Sequence, residues 1–152
     1  MKTGTRHQAR EAALQILYQW EVGRVPPADA VSSHWEIEQD GPAIPEAGRR
    51  FAEELALGTI EHLASIDPII EEHAKHWRLE RMAVIDRLIL RLAVFEFLHR
   101  PDTPRAVAID EALELARTYS EQDAVRFVNG GLDGIHHALA AGTGGITDVS
   151  DA

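Results

Sequence analysis

The sequence predicts an all-α fold, a compact helical bundle of about seven helices. Apolar residues recur at helical spacing along most of the 152 residues, and Ala, Leu, Glu and Arg are abundant. No alternating run of apolar and polar residues is bounded by hairpin turns. One segment, 82–99, is apolar around most of its circumference, which is typical of a helix at the centre of a bundle.

Three helices are expected in the N-terminal part of the chain. The first ends at Gly23, and the second follows Pro26 and Pro27, since glycine and proline commonly flank helices. The stretch DGPAIPEAG, near 40–48, is the clearest internal linker. The expected bounds of the three helices are about 5–22, 27–39 and 46–65.

Four further helices follow. Asp67 is the expected N-cap of the fourth, with Pro68 at its first position, where the missing N–H of proline removes no hydrogen bond. RPDTP separates the fifth helix from the sixth, AIDEALELARTY, and the seventh takes up DAVRFVNGGLDGIHHALAA. We expect a single domain over 1–141, with helices one and two as a layer beside the C-terminal bundle, and a disordered tail over 142–152.

Composition and charge limit the classes of function. The chain has 25 Asp and Glu against 15 Lys and Arg, a formal net charge of −10. Most of its surface should therefore repel phosphate, so a nucleic-acid contact must be local or shared with a basic partner. The absence of cysteine excludes disulfides and thiolate metal sites. No apolar run is long enough to span a membrane, and we expect a cytoplasmic protein without membrane contact.

The candidates for catalytic and metal sites are weak. His73 and His76 are spaced for one helical turn but lack a third ligand, so we expect solvated histidines and no metal. The GTGG segment lacks the strand and the helix of a phosphate-binding loop. Glu96 lies on the apolar face of the fifth helix, either as a general base or, as we favour, as a buried carboxylate that accepts hydrogen bonds. We therefore expect no enzyme activity and no cofactor.

The start of the first helix differs in charge from the rest of this acidic chain, since no Asp or Glu occurs in the first ten residues. A helical projection places Arg6, Arg10, Leu14 and Tyr18 together on one flank, beside the core stripe. Arginine binds phosphate through paired N–H groups, and an aromatic ring can stack on an unpaired base. The flank therefore suits single-stranded RNA. The alternative is an ordinary solvated helix with Tyr18 half-packed.

The last helix has a face of small residues with an aromatic end. Phe127, Gly131, Gly134 and Ala138 lie on this face, apart from the apolar core stripe. Each glycine inside a helix costs about 1 kcal/mol relative to alanine, so the glycines need a reason. Close packing against a neighbouring helix is the explanation we favour.

Three separated blocks in the sequence resemble the NusB family of bacterial transcription antitermination factors. They are AREAALQILYQWE, IDRLILRLAVFEFL and PRAVAIDEALELARTYSEQDAVRFVNGGLDGI, in that order, and the resemblance extends over about 6–139. It implies an all-helical fold of two small subdomains and binding of the boxA element of ribosomal RNA transcripts. The implied partners are the small-subunit ribosomal protein NusE and the transcription elongation complex.

The resemblance also implies a set of RNA-binding residues. At several positions the chain departs from the pattern of the family. His7 and Gln8 stand where many relatives carry arginine, Asp110 replaces an asparagine and Gly131 replaces an aliphatic residue. The positions that match the RNA-binding residues of the family are Lys2, Arg6, Arg10, Tyr18, Arg91, Asp123 and Phe127.

Two other classes of function compete with RNA binding. A related helical domain is fused to RNA cytosine methyltransferases, but no cofactor-binding α/β domain follows in this sequence, so we expect no methyl transfer. The second alternative is a self-associating interaction module in which a homodimer covers a weak RNA surface. The reduced positive charge near the N-terminus keeps this alternative open, and a sedimentation measurement with and without partner and RNA would distinguish it from RNA binding.

Overall fold

A computed structural model describes residues 4–37, 44–73 and 78–142 and confirms the all-α prediction. Within these ranges the chain forms seven α-helices and no strand, with one 3₁₀ turn at Leu79–Arg81 before the fifth helix. The helices are α1 Thr5–Gly23, α2 Pro27–Ile37, α3 Glu46–Glu61, α4 Leu63–His73, α5 Val84–His99, α6 Arg105–Tyr119 and α7 Gln122–Ala140.

The chain divides into two compact units, Met1–His62 and Leu63–Ala152. In the first unit α1 packs along α3, and α2 packs against both. The sequence placed only α1 and α2 in the N-terminal layer, with the bundle after the linker near 40–48. The structure instead places α3 with α1 and α2, because Phe51 and Leu55 of α3 are buried in the core of this unit.

The core of the first unit follows the predicted apolar stripe of α1. Ala9, Ala13, Ile16 and Leu17 are fully buried, whereas Trp20 is half-buried. The ends of α2 and α3 are joined by polar contacts of one indole. Trp35 Nε1 donates to Glu53 Oε2 at 2.9 Å, and the Arg49 guanidinium lies 4.8 Å from the indole centroid. The residues involved in this α2–α3 contact are Trp35, Arg49 and Glu53.

The first turn of α3 approaches the first turn of α1 closely at Gly48. A methyl group at Gly48 would lie 2.6 Å from Ile44 Cγ2 and 2.8 Å from Thr5 Cγ2. Both distances are far shorter than a van der Waals contact, so a residue with a side chain would force its neighbours apart. Gly48 therefore fixes where α1 begins relative to α3.

The second unit is built around α5. Every residue from Leu88 to Phe97 is buried, as expected for a helix that is apolar on all sides, and α4, α6 and α7 each pack against it. Glu96 is 2% exposed, so its predicted burial is confirmed. The Ser120 hydroxyl at the end of α6 donates to the Asp86 carboxylate in the first turn of α5, which joins these two helices.

The predicted bounds of the third and fourth helices are wrong by several residues. α3 ends at Glu61, and His62 is followed at once by α4, so Pro68 lies inside α4 and Asp67 is not its N-cap. The sequence predicts Pro68 at the first helical position because proline is favoured there. Near the start of a helix, however, Pro68 removes a single backbone hydrogen bond, to the Ala64 carbonyl, and the helix tolerates that loss.

Two further expectations concern chain ends and membranes. The predicted disordered tail falls on 143–152, outside the described residues, apart from Gly142, which has a φ of 76° just after α7. Across 4–37, 44–73 and 78–142 no helix combines the length and the apolar character needed to cross a bilayer.

Candidate nucleic-acid interface

The predicted basic flank of α1 is exposed at its two ends and buried in its middle. Arg6 is exposed and Tyr18 is 43% exposed, but Arg10 is 3% exposed and Leu14 is 1% exposed. Arg6 and Arg10 share the predicted flank, but only Arg6 is accessible to a ligand. A helical projection gives the angle of a side chain, but it does not show which neighbouring element covers that angle. Lys2 lies outside the described residues.

An aromatic ring of α3 contacts both arginines. The guanidinium carbon of Arg6 lies 4.0 Å from the centroid of the Phe51 ring, and that of Arg10 lies 5.4 Å away. Both distances are within the range in which a cation is attracted to the negative face of an aromatic ring. No pattern in the sequence predicts this contact, because Phe51 belongs to the apolar stripe of a helix far along the chain.

His7 is buried beside these arginines. Its Nε2 atom lies 3.7 Å from Glu11 Oε2, one helical turn further along α1. Since His7 is 8% exposed, the departure from the family pattern at this position concerns a side chain that points inward. Histidine in place of arginine at position 7 therefore removes less positive charge from the surface than the sequence suggested.

In the second unit the first two turns of α7 carry an exposed carboxylate and a half-buried ring. Asp123 is exposed in the first turn, and Phe127 is partly buried one turn later, so the two side chains are neighbours on the helix. Arg126 is exposed beside them. This end of α7 offers a hydrogen-bond acceptor and an aromatic surface next to each other.

The glycines of α7 are not explained by close packing among the described residues. A methyl group at Gly130 or Gly134 would meet no described atom within 4 Å, and one at Gly131 would lie 3.8 Å from Leu90 Cδ2, an ordinary contact. The explanation favoured from the sequence, close helix packing within the fold, is therefore wrong for this face. Gly130 and Gly134 are exposed and leave the backbone of α7 accessible at these two positions.

Arg91 is buried and paired with a carboxylate of α4. Its Nε and Nη2 atoms donate to Oδ1 and Oδ2 of Asp67, both at 2.9 Å, in a bidentate ion pair. Arg91 is 8% exposed as a residue. The arrangement joins α4 to α5 and engages the paired N–H groups that would otherwise bind a phosphate. The sequence does not predict this ion pair, because the Asp-Pro pair at 67–68 is typical of a helix N-terminus.

The described residues hold no cluster of three or more His, Asp or Glu side chains that could bind a metal ion. His73, at the end of α4, is described, but His76 lies outside the described residues. The His136 and His137 rings lie 5.5 Å apart on α7 without a third ligand of this kind.

Comparison with known proteins identifies the family. The family model described as "NusB family" matches residues 7–137, most of the chain. The chain belongs to the NusB family. The transcription antitermination protein NusB of Solibacter usitatus (strain Ellin6076) is 46% identical to it over 135 residues, which cover 89% of this chain and 90% of that relative. The resemblance carried by the three sequence blocks is thus confirmed.

Solved structures of the NusB family have the same fold. T. maritima NusB superposes with a TM-score of 0.79 at 33% identity, covering 90% of this chain and 93% of that chain. A chain in the crystal structure of antitermination factors NusB and NusE in complex with dsRNA matches with the same TM-score, 0.79, at 27% identity. That match covers 88% of this chain and 97% of the other.

Proposed function

We propose that this NusB-family chain is a transcription antitermination factor that acts in the cytoplasm and binds boxA RNA of ribosomal RNA transcripts together with NusE. The observation that carries the proposal is the match over nearly the whole chain to proteins named as transcription antitermination protein NusB. A structure of the same fold in complex with NusE and dsRNA supports the two partners. We propose no enzyme activity and no cofactor, since the proposed function requires only the binding of RNA and of a protein partner.

The exposed side chains support a division of roles in RNA binding. In the first unit, Arg6 would contact phosphate and the exposed Tyr18 ring would stack on an unpaired base. In the second unit, Phe127 would offer a second stacking surface, and the Asp123 carboxylate would accept a hydrogen bond from a base amino group. The four residues assigned to direct contact are Arg6, Tyr18, Asp123 and Phe127.

Arg10 and Arg91 would contribute to RNA binding indirectly. Both are buried, Arg10 beside the Phe51 ring and Arg91 in its ion pair with Asp67. Releasing either guanidinium to a phosphate would break a packed contact within the protein. We therefore assign both to the support of the helices that carry the direct contacts.

The negative charge of the chain explains why a basic partner is needed. At a formal net charge of −10, the protein repels RNA beyond the immediate contact. A basic protein bound beside the RNA would neutralise part of this field and add phosphate contacts of its own. The elongation complex would then be recruited through the assembled particle.

The test is a titration of labelled boxA RNA with this chain, with NusE, and with an equimolar mixture, using a scrambled RNA as the control. We expect the mixture to bind boxA RNA at least tenfold more tightly than either protein by itself, with weaker binding of the scrambled RNA. Equal affinities for the two RNAs, or no gain from mixing, would contradict the proposed function.

The exposed apolar side chains of α1 favour the second candidate, a self-associating module. Tyr18 and Val22 are 43% and 47% exposed and lie one turn apart, so their side chains are neighbours on the surface of α1. Analytical ultracentrifugation with and without NusE and RNA distinguishes the candidates. A dimer that persists when RNA and NusE are added would support the module, whereas conversion to a complex with one copy of the chain supports RNA binding.

A further inference from the structure

We propose that Phe51 is a positioning residue, which holds the Arg6 guanidinium in place for an RNA phosphate. This inference rests on the proposed function and goes beyond it, because it assigns a role in RNA binding to a buried core residue. The carrying observation is the 4.0 Å distance between the Arg6 guanidinium carbon and the centroid of the Phe51 ring. Phe51 is 5% exposed, so its ring is fixed by the core of the first unit.

The way in which Arg6 is held matters for its charge. Other arginines of the chain are held by carboxylates: Arg91 pairs with Asp67, Arg100 with Asp102 and Arg117 with Glu114. A carboxylate neutralises a guanidinium and occupies its N–H groups. An aromatic ring attracts the cation through its face and leaves the positive charge uncompensated. Within the described residues, Arg6 has this ring contact and no ion pair or hydrogen bond of its side chain.

The contact also limits the freedom of a long side chain. A free arginine on a helix surface loses rotamer entropy when it binds a phosphate, whereas one already held against a ring loses less. The N–H donors lie in the plane of the guanidinium, so the face can contact the ring while an edge remains available to phosphate oxygens. Phe51 would thus increase the affinity of Arg6 for RNA without touching RNA.

The backbone of the first unit sets this geometry. Gly48 lies one helical turn before Phe51 on α3, and its close contact with Thr5 places the residue after Thr5 beside the ring. Arg10, one turn further along α1, is the more distant from the ring and is buried. Of the two arginines beside the ring, Arg6 is therefore exposed and Arg10 is packed within the protein.

The experiment measures boxA RNA binding by the equimolar mixture with NusE for wild type, F51L, F51Y, R6Q and the double variant R6Q/F51L. F51L keeps an apolar side chain but removes the aromatic face, whereas F51Y keeps that face. We expect F51L to weaken binding by about two- to fivefold, which corresponds to about 0.5–1 kcal/mol, and F51Y to stay within twofold of wild type. In the R6Q background, F51L should have no further effect.

The matched control is F97L. Phe97 is also buried, and the Arg105 guanidinium lies 5.8 Å from the centroid of its ring. Arg105 is not assigned to RNA binding. F97L should leave RNA affinity unchanged in a folded protein. If F51L does not fold, site-specific incorporation of trifluorophenylalanine at position 51 weakens the negative face of the ring at nearly constant volume. It should lower affinity, and unchanged affinity would overturn the proposal.

The outcomes separate this inference from the proposed function. If wild type with NusE does not bind boxA RNA, the proposed function fails and this inference fails with it. If wild type binds and folded F51L binds equally well, the inference alone is overturned. An equal loss from F51L in the wild-type and R6Q backgrounds would also overturn it, because that result indicates a packing effect independent of Arg6.

Discussion

Arg6 and Arg10 lie on successive turns of α1 but have opposite environments, so charge reversal should separate them. Arg6→Glu places a carboxylate at an exposed position, and we expect weaker boxA binding with an unchanged melting temperature. Arg10→Glu places a carboxylate at a site that is 3% exposed, near the negative face of the Phe51 ring. We expect it to destabilise the fold by about 3–5 kcal/mol.

Circular dichroism melts and RNA titrations across a salt series measure both effects. Removing one phosphate contact with Arg6→Gln should reduce the slope of log affinity against log salt by about 0.7, the value for one contact to a single strand. If Arg10→Glu melts like wild type and reduces the salt slope, then Arg10 is a surface contact and the assignment of the two arginines is reversed.

Substitution of the exposed Tyr18 should change RNA affinity with a different dependence on salt than substitution of a charged residue. If a base stacks on the ring, Tyr18→Ala should weaken RNA binding by about 1–3 kcal/mol without altering the salt slope. Val22, one turn along α1 and 47% exposed, provides the control, since it cannot stack in the same way. An equal loss of RNA affinity from Val22→Ala would indicate that this face binds an apolar partner and not a base.

At the scale of elements, α4 and α5 are joined by the Arg91–Asp67 pair, whose two members differ in exposure. The Arg91 side chain is 10% exposed and that of Asp67 is 27% exposed. Asp67→Ala leaves a buried guanidinium without its carboxylate and should cost about 1–3 kcal/mol of unfolding free energy. Arg91→Met keeps an apolar stem and leaves a carboxylate that water can reach, so we expect a smaller loss. Urea unfolding of both variants tests this order, and a larger loss from Arg91→Met would refute it.

Glycine has opposite roles in α3 and α7. Gly48→Ala should destabilise the first unit by about 1–3 kcal/mol, because the added methyl would lie within 3 Å of both Ile44 and Thr5. Gly134→Ala meets no described atom within 4 Å, so it should stabilise α7 by up to about 1 kcal/mol and raise the melting temperature by about 2–4 °C. Calorimetry on the two variants would show changes of opposite sign; a shared sign would contradict these environments.

The elements that the sequence predicted well are those defined by local signals. α1 ends at Gly23, and α6 begins directly after Pro104. The burial of α5 is predicted by the apolar residues around its circumference. The break between α3 and α4 was predicted near Asp67, whereas it lies at His62, because a helix can include Pro68 after losing one hydrogen bond. The partners of Arg6 and Arg91 were missed for another reason. These contacts join residues far apart in sequence, and no periodicity within one helix specifies them.

At the scale of the whole molecule, the family was predictable from the sequence, and the solvent exposure of each site residue was not. The three sequence blocks sufficed for the family, and the charge of −10 indicated a basic partner. Which of the seven predicted site residues face solvent depends on the packing of helices around them. Tyr18 and Asp123 are exposed, whereas Arg10 and Arg91 are buried.

Because each unit is one continuous stretch of chain, cotranslational folding can proceed in two steps. All helices of the first unit precede residue 63, and its α1–α3 packing is formed within that stretch. At about 5–20 residues per second, translation of 63–152 takes on the order of 5–20 s, whereas small helical units fold in microseconds to milliseconds. On a stalled ribosome from which the first unit has emerged, we expect Arg6 of the nascent chain to lie against Phe51 and the first unit to resist protease before α5 has left the exit tunnel.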